Sequence, residues 1–299
     1  MAEKDKTPRS SFVIMPISDP EGYGQGHVTG VYQHFVRPGS RLAANVAIPI
    51  VLAIATFLTY PAAAQAQLKV IISGGFSSAY RQVLPEFESS TGVTVTTLSG
   101  ASQGKGPETI VAQLSRGVAA DVAILSREGL SELIAAGRIA VGTDVDLARA
   151  ALGAAVRSGT RKPDISSVAA FKQALLSAKV VAVPASTSGI YLTTDLFPRL
   201  GIADKLNIKV MPRGAQSAAL VAAGEADIVV QPISELLHVP GLDFVGPIPV
   251  ELQLIQTFAA AIVAGSKELE ASRRLIAFLA SERAAAAIRN NGMDPVQKR

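Results

Sequence analysis

The sequence predicts an α/β fold with mostly parallel sheet, and three observations carry that reading. Short β-branched runs alternate with segments of helical spacing from Leu68 onward, the order in which parallel strands and their covering helices are laid down. The alternation restarts after "DVDLARAALGAAVRSG" (144–159), which divides the chain into two α/β units. Four strand-to-helix turns are rich in glycine and hydroxyls, and they fall at the carboxyl ends of strands, where open α/β sheets bind ligands.

In chain order, "LKVIIS" (68–73) reads as a strand, and "SSAYRQVLPEFESSTG" as a helix with Val83, Leu84 and Phe87 inward and Gly92 as its stop. "VTVTTL" (93–98) is a second strand, and Pro107 suits the first turn of the helix "PETIVAQLSRG". "DVAIL" (121–125) and "EGLSELIAAG" complete the first unit. The second unit reads as helix "SVAAFKQALLSA", strand "VVAVP" (180–184), helix "SGIYLTTDLFPRLG", strand "IKVM", helix "QSAALVAAGEA" and strand "DIVVQ" (227–231). An apolar run, "LIQTFAAAIVAG" (254–265), precedes two closing helices, "KELEASRRLIAFLASE" and "RAAAAIRNNG".

Composition narrows the chemistry. The chain has 299 residues, 48% hydrophobic and 17% charged, enough to bury a sizeable core. A net charge of +4, scattered without a basic block, gives no footprint for nucleic acid. Cysteine is absent, which removes disulfides, thiolate metal sites and cysteine nucleophiles. Of the three histidines, His27, His34 and His238, only the last lies in the α/β region, too few for a histidine-based zinc site. His238 in "ELLHVPG" lacks the positioned partners that a catalytic base requires. No metal or other cofactor is expected.

The first 66 residues stand apart. "NVAIPIVLAIATFLTY" (45–60) follows Arg37 and Arg41 and precedes "PAAAQAQ", the order of a secretory signal with a small-x-small cleavage site ending at Ala66. The expected arrangement is a signal at 41–66, a mature chain from near Gln67 and a periplasmic destination, with a retained anchor as the alternative. Residues 12–38 read as one strand, a loop and a helix start, and resemble the opening of bacterial nucleotide-binding proteins of the TIR-like kind. So short a piece buries no core, and residues 1–40 are expected to be extraneous, from a truncated gene fusion or from a misassigned start codon with translation beginning near Val36.

The loop "SGASQGKGPET" (99–109) nearly spells a P-loop but fails twice. The first glycine of the motif falls on Ser99, and Gly106 offers no hydroxyl for magnesium. What remains is a glycine- and serine-rich turn into a helix, suited to anions in general. "SGGFSSAY" (73–80), "STSGIY" (186–191) and "RGAQSAA" (213–219) are built alike. Lys105, Arg127 and Arg213 stand just beyond strands, in or beside these loops. The pairs Glu86/Glu88 and Glu268/Glu270 read as solvated helix faces.

The stretches "VIISGGFSSAYRQVLPEFESSTGVTV", "QLSRGVAADVAILSREGLSELIAAGRI", "STSGIYLTTDLFPRLGI", "ALVAAGEADIVV" and "LIAFLASERAAAAIRNNGM" together resemble the periplasmic molybdate-binding proteins, solute receptors of ABC importers. The resemblance implies a two-lobed type II periplasmic binding protein with two hinge crossovers. Lobe 1 would comprise 67–150 and 251–299, and lobe 2 would comprise 151–250. It also implies a monomer that delivers a small anionic ligand to importer membrane subunits. Carried over, the ligand positions are Gly75, Phe76, Ser77 and Ser78; Ala101, Ser102 and Gln103, with Lys105 in the same loop; and Leu125, Ser126 and Arg127. In the second lobe they are Ser188, Gly189 and Tyr191, then Gln216 and Ser217, with Arg213 in the same loop, and finally Val230 and Gln231.

These receptors commonly carry a tyrosine where this chain has Val230 or Gln231. Hydroxyl-only pockets suit a tetrahedral oxyanion, whereas added cations suit carboxylates. A Lys105 facing the cleft would favour a carboxylate, and one facing solvent an oxyanion. The start "SGGF…AYR" and the "VSELL"-like helix at Ile233 to Leu237 also resemble aconitate isomerase, a second member type of this fold. An isomerase would need a base among cationic carboxylate clamps, with Glu235, Tyr191 and Lys105 as the available groups.

Overall fold

A computed structural model of the protein describes residues 66–296; the expected leader, its anchor alternative and the segment before them lie outside the described residues. Among the latter, no helix is long and apolar enough to cross a membrane.

Two mixed sheets organise the chain. The first has the order β11-β4-β10-β3-β1-β2, where β1 is Gln67–Ile72, β2 Thr94–Ser99, β3 Val122–Ser126, β4 Val145–Ala150, β10 Gln256–Ile262 and β11 Met293–Pro295. The second has the order β7-β6-β8-β5-β9, with β5 Leu152–Arg157, β6 Val181–Pro184, β7 Ile208–Met211, β8 Ile228–Pro232 and β9 Leu242–Pro247. β1 pairs in parallel with β2 and β3, and β6 with β7 and β8. β10 and β5 enter antiparallel, so each sheet keeps one dominant strand direction.

The helices are α1 Gly74–Thr91, α2 Ile110–Ser115, α3 Arg127–Ala135, α4 Val168–Ser177, α5 Thr187–Tyr191, α6 Phe197–Arg199, α7 Gly214–Ala223, α8 Leu269–Leu279 and α9 Glu282–Asn290. α1 stops where expected: Gly92 takes φ 70° and its N–H donates to Glu88 O, a left-handed cap that glycine adopts without Cβ strain. α2 starts later than Pro107 because the Thr109 hydroxyl accepts the Ala112 N–H at 3.2 Å and caps the helix there. The long helix expected at 188–201 is α5 and α6 joined by a π-helical turn, Leu192–Leu196. The helix expected at Ile233 to Leu237 shrinks to a 3₁₀ turn, Ile233–Glu235, since Pro232 ends β8 with no N–H to donate.

The segment before the restart of the pattern forms β4 and β5, one extended run that passes from the first sheet to the second through Ala151. Its alanines carry weak strand propensity, which explains why the pattern alone does not assign them. The return crossover, between β9 and β10, is tied to this run by Gln253. Its side chain accepts the Leu152 N–H at 2.8 Å and donates to Leu152 O at 2.8 Å and Ile248 O at 2.9 Å. Both faces of each sheet are packed: Phe76, Tyr80, Phe87 and Phe258 on one side of the first sheet, and Leu125, Leu130 and Leu133 on the other. Phe171, Leu192 and Phe197 fill the main core of the second lobe.

Candidate anion site between the lobes

The parallel strands of both sheets end at the same cleft: Ile72, Ser99 and Ser126 on one side, Pro184, Met211 and Pro232 on the other. Two long helices begin there. Ser73 precedes α1, and Arg213 precedes α7. Neither side chain caps its own helix, so both N-termini keep positive character directed into the cleft.

Glu235 lies between these two N-termini. A Cβ on Gly74 would collide with Glu235 Oε1, and one on Gly214 with Oε2. Glycine at the first position of each helix is therefore what admits the carboxylate. Burial pushes the Glu235 carboxyl up from 4.5 to about 7, against the opposing pull of Arg213. This is the range in which a group can take and return a proton near neutrality.

Two adjoining cavities open around it. The narrower, of about 330 Å³, is walled by Gly75, Ala101, Ser102, Ser186 and Ser188, with Gln256 and Phe258 at its base. The wider, of about 820 Å³, adds Ser77, Ser78, Arg81 and Ser234. Ser73, Gly74, Arg213, Gly214 and Glu235 line both. The Ser73 and Ser234 hydroxyls and Gln256 Oε1 are buried without a hydrogen-bond partner. Groups of this kind cost about 1–3 kcal/mol each when left so, and an incoming polar ligand would relieve that cost.

Other expected residues are used differently. Phe76 packs in the first core, fully buried. Gln103 bridges the lobes, its N–H 3.4 Å from Ser186 Oγ. Ser126 caps α3 through Gly129 N–H and meets Thr187 Oγ1 across the cleft at 2.8 Å. Its own N–H donates to Ser102 Oγ. Arg127 is held by Asp144 at 2.7 Å and by Asp146. Lys105 is exposed and lines neither cavity, so the carboxylate expectation drawn from it is not met, and a cationic contact in the cleft falls to Arg213 instead. Gly189 allows α5 to pack on Pro184, whose carbonyl a Cβ would strike. The Tyr191 hydroxyl donates to Leu252 O at 2.9 Å. Gln216 accepts the Arg213 N–H at 3.1 Å. Ser217 is buried, while Gln231 lies below the cleft and donates to Glu235 O at 3.1 Å.

Ser73, Gly74, Gly214, Gln256 and Phe258 join the site without having been singled out. A sequence signal existed for Gln256, a lone amide inside an apolar strand, and for Gly214, which follows Arg213 at the start of a helix. His238 lines neither cavity; its Nε2 lies 3.3 Å from Asn290 O. Among the described residues, no cluster of His, Asp or Glu side chains is arranged to hold a metal.

Comparison with known proteins agrees with this fold. Residues 68–294 match the family model for bacterial extracellular solute-binding proteins. An aconitate isomerase from a Pseudomonas species is 40% identical over 230 residues, covering 77% of this chain and 88% of the relative. The periplasmic molybdate-binding protein of Azotobacter vinelandii superposes with TM-score 0.59 at 18% identity, over 78% of this chain and all of that one. The sulfate-binding protein SubI of Mycobacterium tuberculosis H37Rv does so with TM-score 0.60 at 20% identity, over 77% of this chain and 87% of that one. With two mixed sheets joined by two crossovers and a ligand cleft between them, this chain belongs to the bacterial extracellular solute-binding protein family and has its two-lobed type II fold.

Proposed function

We propose that the protein binds a small polycarboxylate between its lobes and isomerises aconitate by proton transfer through Glu235. The observation that carries this reading is the carboxyl group of pKa about 7 set between two helix N-termini and beside Arg213. The Pseudomonas relative supports it. A receptor needs no titrating carboxyl in its anion seat, whereas an allylic proton shift does. Glu235 would take a proton from the methylene carbon of the substrate. The resulting allylic anion would be held by Arg213 and the helix N-termini, and the same carboxyl would return the proton at the far allylic carbon, moving the double bond. Tyr191, whose hydroxyl donates to Leu252 O, and Lys105 line neither cavity, which leaves Glu235 as the candidate base.

Proton NMR of trans-aconitate in deuterated buffer tests this directly. The wild type should interconvert the isomers with deuterium uptake. Glu235→Gln should lose at least about 100-fold in kcat, as removal of a general acid–base does, while still being stabilised against heat by aconitate.

The second reading is a receptor that closes on its ligand and hands it to an ABC importer, after export directed by residues 41–66. The interlobe bonds Ser126–Thr187 and Gln103–Ser186 and the crossovers clamped by Gln253 suit such hinge closure. Thermal stabilisation by aconitate without interconversion would favour it, and stabilisation by molybdate alone would overturn the carboxylate assignment.

A further inference from the structure

The wider cavity contains a cation that the proton-transfer site does not use. Gly74, Ser77, Ser78 and Arg81 all line it, and their spacing places them on one face of α1. Arg81 has no ion pair or hydrogen bond among the described residues. The acids on its own helix are turned elsewhere: Glu86 pairs with Arg283 at 2.6 Å, and Glu88 accepts the Val95 N–H at 2.8 Å. Arg213, from the opposite lobe, lines the same cavity. Among the described residues, its one ion pair is with Glu108 at 3.5 Å.

Two guanidinium groups at one cavity repel unless an anion lies between them. Glu235, whose carboxyl is seated against Gly74 and Gly214, is the acid lining that cavity. Two further groups point to a ligand. The hydroxyls of Ser73 and Ser234, 3% and 2% exposed, line the cavity and have no partner.

We infer that this wider cavity is a second carboxylate subsite, in which Arg81 selects substrates carrying more than one carboxylate. The inference rests on the carboxylate reading above and extends it: one carboxylate sits at Arg213 beside the seated Glu235, and another reaches Arg81 and Ser78. Arg81 is then a specificity-determining residue and takes no part in proton transfer.

Calorimetry separates the two levels. The probe is propane-1,2,3-tricarboxylate, which has no double bond to move, with butyrate as a one-carboxylate competitor. Arg81→Gln should weaken the tricarboxylate about tenfold or more, the worth of one charge-assisted contact, and change butyrate less than about twofold. Arg81→Lys should recover part of the loss. With trans-aconitate, Arg81→Gln should raise KM at unchanged kcat, which marks lost uniform binding. An unchanged tricarboxylate affinity, or equal losses for both ligands, would overturn the subsite and leave the carboxylate reading intact. A wild type that binds neither carboxylate would overturn both.

Discussion

The two helix N-termini that face each other across the cleft are alike in backbone and opposite in chemistry. α1 begins Ser73-Gly74-Gly75 and α7 begins Arg213-Gly214, and each glycine admits one oxygen of Glu235. At the narrower cavity the wall around α1 is neutral, made of a buried hydroxyl, the Ser102 side chain and the Phe258 ring packed against Gly75, while the α1 cation Arg81 lines only the wider one. Around α7 it is charged, with a guanidinium and a carboxyl on the same lobe. At the narrower cavity one lobe is therefore a socket that fits shape and hydrogen bonds, and the other is a jaw that supplies charge. Anion binding should depend on both, but unequally, because charge-assisted hydrogen bonds are about twice as strong as neutral ones.

Variants on the two sides test that inequality. Gly214→Val should have the largest effect, since its side chain takes the place of the Glu235 carboxylate. A loss of about 100-fold or more in aconitate affinity by calorimetry, near 3 kcal/mol, is expected with little change in melting temperature.

Arg213→Ala comes next, at about 10- to 100-fold. Ser73→Ala, on the neutral side, should cost no more than about fivefold, or even help stability by removing an unpartnered hydroxyl. Equal losses for Arg213→Ala and Ser73→Ala would erase the contrast between the lobes.

The pH dependence follows from Glu235, with Arg213 and Arg81 as the cations and Glu108 as the acid grouped around it. Its carboxyl holds a proton up to about 7 in the fold, against 4.5 as the ordinary value, so the native state binds more protons across that window. Stability should fall as pH rises from 4.5 to about 7, by on the order of 1–3 kcal/mol, and level off above. Chemical denaturation should show this slope in the wild type and lack it in Glu235→Gln. The smallest effect is expected for Thr187→Ala, which removes one interlobe hydrogen bond of 2.8 Å and should weaken closure by about 0.5–1.5 kcal/mol.

Much of the fold was legible because it is written in local patterns. β1, β3, β6 and β8 are apolar runs of strand length, and α7, α8 and α9 carry the expected spacing and ends. The alanine-rich crossover β4–β5 was not, because alanine marks neither strand nor face. The site divides the same way. The loops at 73–80, 99–109, 186–191 and 213–219 could be read as anion-suited turns from their glycines and hydroxyls. The fate of each cation could not. Arg127 looks like a ligand contact until Asp144 and Asp146, beyond the end of its own helix, capture it. Lys105 and Arg81 exchange roles for a similar reason: a loop side chain may turn to solvent, whereas a helix position is held to its face.

The sequence by itself determined the α/β class, the two units, the loops at strand ends and the lack of any thiol, since each follows from residue type and spacing along a short stretch. Only the tertiary structure decided that Gly74, Gly214 and Glu235 meet at one point, that Gln256 lies at its base, and which arginines face the cleft. The Gly74–Glu235 contact joins residues more than a hundred positions apart on two lobes. Their chemistry arises from burial and from two helix ends brought face to face, which no local pattern encodes.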